Sequence, residues 1–544
     1  MNRRKFLTTT ALASALAARA QEPKPPMQEP SHADTQHAPG VGLRSFELDE
    51  LTVSELAGRM KQGALTAERI AQLYLERIDE IDRRGPALRS VIEINPDALA
   101  IAKGLDEEYK AKGPRGPLHG IPVLLKDNIE TGDKMQTTAG SMALAGTPAA
   151  KDAWVAERLR AAGAVILGKT NLSEWANFRS THSTSGWSGR GGQTKNPYAL
   201  DRNPCGSSSG SGAAISANLC ALAVGSETDG SVVCPSSMCG IVGIKPTLGL
   251  ISRAGIVPIA HSQDTAGPMA RTVRDAALLL GAMTGVDSRD NSTHASAGKS
   301  NTDYTQFLDA NGLRGARFGI ARQYFNIGPA VTAVMEECIG LLRSAGAEIV
   351  DPADLPTFEA WRDTETQVLL YEFKADLNAY LAERRTGVRS LADCIAFNRA
   401  YRAKEMPYFE QELFEQAQEK GPLTEKGYKD ALAANHRLAR KEGIDAVIAK
   451  HKVDAIVGPT AGPAWLTDWV AGDRADSGCA SPPAVAGYPH ITVPAGFKFG
   501  LPLGISFFGP AWSEPKLIKF AYAFEQARKA RRKPEFLPDV NFYA

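Results

Sequence analysis

The spacing of apolar and polar positions changes several times along this chain, and each change predicts an element. T-V-S-E at 52–55 has the form of a capping box, in which two side chains satisfy the first free N–H groups of a helix. Ile70, Leu73, Tyr74, Ile78 and Ile81 then recur at the spacing of a helix that buries one face. I-P-V-L-L at 121–125 is short and continuously apolar, as a buried strand is, and it brings Lys126 to its tip. A helix is predicted from Asp152 to about Ala162, a strand over Ala164–Leu167, and a second helix from about Asn171. This alternation belongs to a sheet covered by helices.

Residues 179–212 are dominated by Ser, Gly, Thr and Asn and lose all periodicity. A loop of that length inside a compact domain is either functional or disordered. Regular structure resumes near Ala213 with an apolar helix-to-strand passage that runs into G-S-E-T-D-G-S-V-V-C-P-S-S at 225–237. Residues 360–450 read as helical and charged, without active-site character. H-I-T-V-P and G-I-S-F-F read as short C-terminal strands, and the last helix carries a basic tail, R-K-A-R-R-K, that reads as a solvated helix end. No internal repeat is evident.

Composition narrows the class. Hydrophobic residues at 43% and charged ones at 23% describe a soluble globular chain. A net charge of +1 gives no reason to expect nucleic acid as a partner. The first twenty residues stand apart: Arg3, Arg4 and Lys5 precede a weakly apolar run that ends in Ala18-Arg19-Ala20. R-R-K-F-L resembles a twin-arginine export signal, so residues 1–20 are expected to direct export to the periplasm or the medium. Residues 21–45 read as a flexible tether, and 46–544 as the functional domain, with its signature core at about 115–275. No segment is long and apolar enough to span a membrane. The seven cysteines include no C-x-x-C and no zinc-ligand spacing, and their odd number leaves at least one thiol unpaired. Their pairing is open at this stage, and Cys234 and Cys239 read as small packing residues.

Three motifs match a pattern and fail its mechanism. G-A-V-I-L-G-K-T at 163–170 has the letters of a phosphate-binding loop, but its variable positions are the strand itself. G-S-S-S-G at 206–210 lacks the preceding strand that a nucleophile elbow needs. S-E-P-K at 513–516 carries a proline that disfavours the helical turn joining serine to lysine. What remains is Ser231, preceded by glycine, with no histidine near it in sequence. His119, His182, His261 and His490 sit in no pattern connected to it. A serine hydroxyl needs a base, and lysine can serve when burial lowers its pKa from about 10.4 toward roughly 7–8. Lys126, at the tip of an apolar strand, is placed for such burial, and the Ser-rich stretch at 205–212 can relay a proton.

P-x-x-x-K-D-N at 122–128, C-G-S-S-S-G-S-G-A-A-I at 205–215, and S-E-T-D-G-S followed by C-G-I-V-G-I-K-P-T resemble the amidase signature family. The likeness continues through S-Q-D-T-A-G-P-M-A-R-T-V-R-D at 262–275, A-G-Y-P-H-I-T-V-P-A-G-F at 486–497 and F-A-Y-A-F-E-Q at 520–526. It implies a single large α/β domain whose mixed central sheet is covered by helices on both faces. It implies Ser231 as nucleophile, Ser207 as proton relay, and neutral Lys126 as base, with a cis bond between Gly206 and Ser207. The backbone N–H groups of Thr228, Asp229, Gly230 and Ser231 are then the oxyanion hole. Asp127 and Asn128 are expected to scaffold the lysine. The substrate is a linear small-molecule or peptide amide, and no metal or organic cofactor is called for. Many family members read T-D-x-G-G-S-I-R-F-P here. This chain has Asp229 in place of a glycine and Val233 in place of an arginine, which resembles the bacterial branch that removes C-terminal amides from peptides. The alternatives are the glutaminase subunit of a tRNA amidotransferase and an exported binding protein without catalysis.

Overall fold

The apolar run at 121–125 lies in a strand whose residues are all buried, and its neighbours explain why Lys126 ends where it does. A computed structural model describes residues 44–384, 386–474 and 478–540. The leader expected over 1–20, and the tether over 21–45 apart from Arg44 and Ser45, lie outside the described residues. In chain order the strands are β1 (Val91–Ile94), β2 (Pro122–Lys126), β3 (Val165–Thr170), β4 (Trp187–Ser188), β5 (Gly192–Gln193), β6 (Leu222–Glu227) and β7 (Val242–Lys245). They continue as β8 (Thr265–Ala270), β9 (Arg317–Ile320), β10 (Glu348–Val350), β11 (Ala455–Pro459), β12 (His490–Lys498) and β13 (Leu501–Phe508).

One 11-stranded sheet runs β1-β3-β2-β6-β8-β7-β12-β13-β11-β9-β10. β2 is parallel to β3 and β6, while β6 pairs antiparallel with β8, so the sheet is mixed as expected. Helices flank it, among them Ser209–Ser216 against β2, β3 and β6, and Glu514–Arg528 against β12. The parallel register sets Leu125 opposite Val224, which brings the carboxyl ends of β2 and β6 side by side. Ligand sites of α/β sheets form at such ends, where loops leave the strands.

The capping box forms as read: Thr52 Oγ1 accepts from Glu55 N, and Glu55 Oε2 accepts from Thr52 N. Helix Ser209–Ser216 opens inside the stretch that had no periodicity. Gly210 is required there, because a Cβ would collide with the carbonyl oxygens of Ser90 and Asn171. Both C-terminal strands are present. No described helix is long and apolar enough to cross a membrane.

Four expectations need correction. No α-helix starts at Asn171: Trp175, Ala176 and Asn177 take left-handed φ values of 50°, 53° and 70°. The chain there is held by long-range partners instead of by its own turns, with Trp175 N donating to Ala139 O (2.9 Å) and Glu174 Oε2 accepting from Gly189 N (2.7 Å). The basic tail is a solvated end only in part: Lys529, Arg532 and Lys533 are exposed, but Arg531 is not. Arg531 is mostly buried, pairs with Glu50 (2.7 Å), and donates to the carbonyls of Gly240 and Ser216. Pro515 sits in the first turn of the last helix, where proline is tolerated, so S-E-P-K fails for another reason: Lys516 pairs with Asp454. Cys234 is bonded to Cys205, whereas Cys220, Cys239, Cys338, Cys394 and Cys479 are free and buried.

Candidate active site

Lys126 is fully buried, because the strand that carries it is apolar and has a partner on each edge. Its Nζ has three neighbours: Ser207 Oγ at 2.7 Å, Ser226 Oγ at 2.9 Å and Ser226 O at 3.1 Å. An ammonium stripped of water is disfavoured, and burial pulls this pKa down to about 7, against the smaller opposing pull of Asp264 and Glu227. At neutral pH the amine therefore exists in both forms, and its uncharged form can accept a proton from the Ser207 hydroxyl.

Ser207 is also fully buried, and its peptide bond to Gly206 is cis. Its carbonyl accepts from Ser173 N (3.1 Å), and the next residue, Ser208, donates its N–H to Ser231 O (3.1 Å). The Cys205–Cys234 disulfide makes a second tie between the same two segments, with Cα atoms 6.0 Å apart. Ser207 and Ser231 thus belong to segments that are fastened together. Ser231 itself is 8% exposed, and its hydroxyl has no hydrogen-bond partner among the described residues.

The turn 228–231 is shaped from outside. Glu227 Oε2 accepts from Val232 N (2.7 Å) and Val233 N (3.1 Å). Thr228 Oγ1 donates to Asp264 (2.6 Å), Gln263 Nε2 donates to Thr228 O (3.2 Å), and Gly230 supplies the positive φ of 77° that the bend needs. The N–H groups of Thr228, Asp229, Gly230 and Ser231 meanwhile donate to no acceptor among the described residues. Four adjacent N–H groups left free in one turn have the chemistry to hold a negatively charged oxygen.

Asp127 and Asn128 are the expected scaffold. Asp127 O accepts from Thr138 N and Ala139 N, and Asn128 Nδ2 donates to Ser226 Oγ (2.8 Å). None of the four histidines bonds to Lys126, Ser207 or Ser231. His490 is buried with its imidazole pushed down to about 3 by burial, and it contacts Ser506. His119 bonds to Leu105 O (3.0 Å), and His182 is exposed beside Glu412.

Beside the turn lies a cleft of about 270 Å³. Asn128, Ser226 and Thr228 line it, and Val257, Ile259 and Ala379 give it apolar walls. Its charged rim is internally paired: Arg253 with Asp290 at 2.6 Å, and His261 with Asp376 at 2.8 Å. His261, Glu372 and Asp376 bring potential ligand atoms within 4.8 Å of one another. Both ring nitrogens of His261 already face a carboxylate, which raises the imidazole pKa and makes the cluster an ionic clamp between the 253–264 loop and the helix Arg362–Glu383.

Sequence reasoning missed several of these groups. Ser226 and the Gln263–Asp264 pair stand inside motifs that were recognised, so the signal was present but no role was drawn from it. Helix Arg362–Glu383 was read as having no active-site character, yet it supplies Asp376, Ala379 and Tyr380 to the cleft and Glu365 to the turn. Nothing local marks it.

The Amidase family profile matches residues 69–518. A probable amidase of Arabidopsis thaliana is 44% identical over 503 residues, covering 91% of this chain and 93% of its own length. A glutamyl-tRNA(Gln) amidotransferase subunit of Thermoanaerobacter pseudethanolicus is 35% identical over 90% of this chain and 99% of its own. Among solved structures, the native peptide amidase of Stenotrophomonas maltophilia superimposes with a TM-score of 0.87 at 51% identity, covering 90% of this chain and all of that one.

Proposed function

The chain belongs to the amidase signature family and is an amide-hydrolysing enzyme, and from that premise we propose that it is a serine amidase acting through Ser231, Ser207 and Lys126. In this reading Ser231 Oγ attacks the amide carbonyl. Its proton passes to Ser207, whose own proton passes to neutral Lys126. The carbonyl oxygen, now negative, is held by the N–H groups of residues 228–231; loss of one such donor costs about 100–1000-fold in comparable enzymes. The relay then returns a proton to the departing nitrogen. Water, activated by the same relay, releases the acyl group as a carboxylic acid.

The observation that carries this reading is the 2.7 Å contact between Lys126 Nζ and Ser207 Oγ in a fully buried setting. A fluorophosphonate probe tests it: the intact enzyme is expected to be labelled, and Ser231→Ala is not.

For the substrate we propose a C-terminal peptide amide with an uncharged, apolar acyl side chain in the 270 Å³ cleft. The likeness to a peptide amidase at 51% identity supports the first part. The pairing of the cleft's cations supports the second, since an anionic ligand would have to break an ion pair to reach Arg253 or His261. Free glutamine, which carries an α-ammonium and an α-carboxylate on the carbon at the end away from its amide, fits such walls poorly. Ammonia release from peptide amides, aryl amides, short aliphatic amides and glutamine ranks these choices. Faster turnover of glutamine would favour the glutaminase reading, which the 35% identical amidotransferase chain represents.

A further inference from the structure

Asp229 places a carboxylate within a turn whose N–H groups are otherwise kept free, and a second carboxyl from a distant helix meets it. The carboxyl of Glu365, on Arg362–Glu383, interacts directly with that of Asp229. Ser481 stands near Asp229 and favours its charged form. Gln263 bridges the same groups, donating through Nε2 to Thr228 O (3.2 Å) and to Glu365 Oε1 (3.0 Å). Gln263 is 1% exposed and Glu365 9%, so the bridge is shielded from water.

Two carboxyls in contact cannot both be ionised in such a place, and they share one proton. Burial and the neighbouring Asp229 charge keep that proton on Glu365, whose O–H then donates to the Asp229 carboxylate. Glu365 Oε1 meanwhile accepts from Gln263 Nε2. Without that donor, the Asp229 carboxylate becomes a strong acceptor next to the N–H groups of its own turn. It would compete with the substrate oxygen for them.

We propose that Glu365 is a positioning residue: by donating to Asp229 and accepting from Gln263 it keeps the N–H groups of residues 228–231 directed at the substrate carbonyl. The proposal rests on the reading of Ser231 as nucleophile. It also gives Asp229 a place in this chain that a glycine would not need. The groups facing the pair are Lys245 on β7, Glu227 at the end of β6, Tyr324, Arg362 on the same helix, Gln263 and Ser481. Loss of the shared proton at alkaline pH sets two negative charges together and loosens the turn.

The test measures fluorophosphonate labelling rate, and kcat and KM for N-acetyl-phenylalaninamide, in the full chain. Glu365→Ala is expected to lower labelling rate and kcat by roughly 100-fold, with KM within about three-fold of the parent. Glu365→Gln keeps a donor and an acceptor, so it should stay within about five-fold at neutral pH and lose any alkaline decline that the parent shows. In an Asp229→Gly background, Glu365→Ala should cost less than about five-fold relative to Asp229→Gly itself. An equal loss in both backgrounds, or a harmless Glu365→Ala, overturns the proposal. If Glu365→Ala does not fold, a Glu365→Gln enzyme with the parent's alkaline profile overturns it instead. Absence of labelling in the parent would overturn the nucleophile and this inference together; a labelled parent with an indifferent Glu365 overturns this inference alone.

Discussion

Lys126 and Lys169 stand on adjacent parallel strands, both fully buried, and burial lowers both pKa values, to about 7 and about 8. Their partners differ. Lys126 Nζ meets the hydroxyls of Ser207 and Ser226, whereas Lys169 Nζ meets the carbonyl of Ile129 and the hydroxyl of Thr137. Around Lys169 stand Asp127, Asp133, Glu93 and Glu130, a set of carboxylates that favours its charged form. Lys245, at the end of β7, resembles Lys169: it donates to Pro246 O near Glu227 and Glu514. Burial alone therefore does not make a base. In the proposed reading Lys126 serves as one because its hydroxyl neighbour Ser207 lies on a segment tied to Ser231, whereas Lys169 stands among carboxylates that keep it charged.

The contrast breaks if the two lysines respond alike to substitution. Lys126→Ala should lower kcat by about 100- to 10,000-fold while circular dichroism shows the fold intact. Loss of the relay in Ser207→Ala should cost on the order of 100-fold, and a near-silent variant would mean that Lys126 reaches Ser231 by another route. The parent's kcat/KM should fall about tenfold per pH unit below about 7, because protonation of Lys126 removes the base as pH drops. The same group sharpens the picture through stability. Its folded pKa lies below the unfolded 10.5, so the unfolded chain binds more protons and stability rises with pH between about 7 and 10.5. Urea unfolding at several pH values should show a shallower rise in Lys126→Met. Smallest of all, Lys169→Met should leave kcat within about three-fold, and its cost should appear as about 1–3 kcal/mol of lost stability in the same urea titration.

Legibility differed between these regions for a physical reason. The strand under Lys126 was readable because burial on both faces demands a continuous apolar run, which is a local property of five residues. The capping box and the two C-terminal strands were readable for the same local reason. The segment after Asn171 misled, because its conformation is set by Ala139 and Gly189, which lie elsewhere in the chain. Arg531 looked like solvent-facing charge until Glu50 and two carbonyls closed around it. Cys205 and Cys234 offered no spacing rule that could pair them.

Spacing and residue type by themselves pointed to the alternation of strands and helices and to Lys126 and Ser231, and the motifs carried the family resemblance, which added Ser207. Only the folded sheet decided that the ends of β2 and β6 lie together, that the four N–H groups of the turn stay unpaired, and that a helix from the charged region supplies Glu365. Those facts depend on pairs of residues far apart in sequence, and such pairs are chosen by the joint packing of the whole core, which no short window of residues contains.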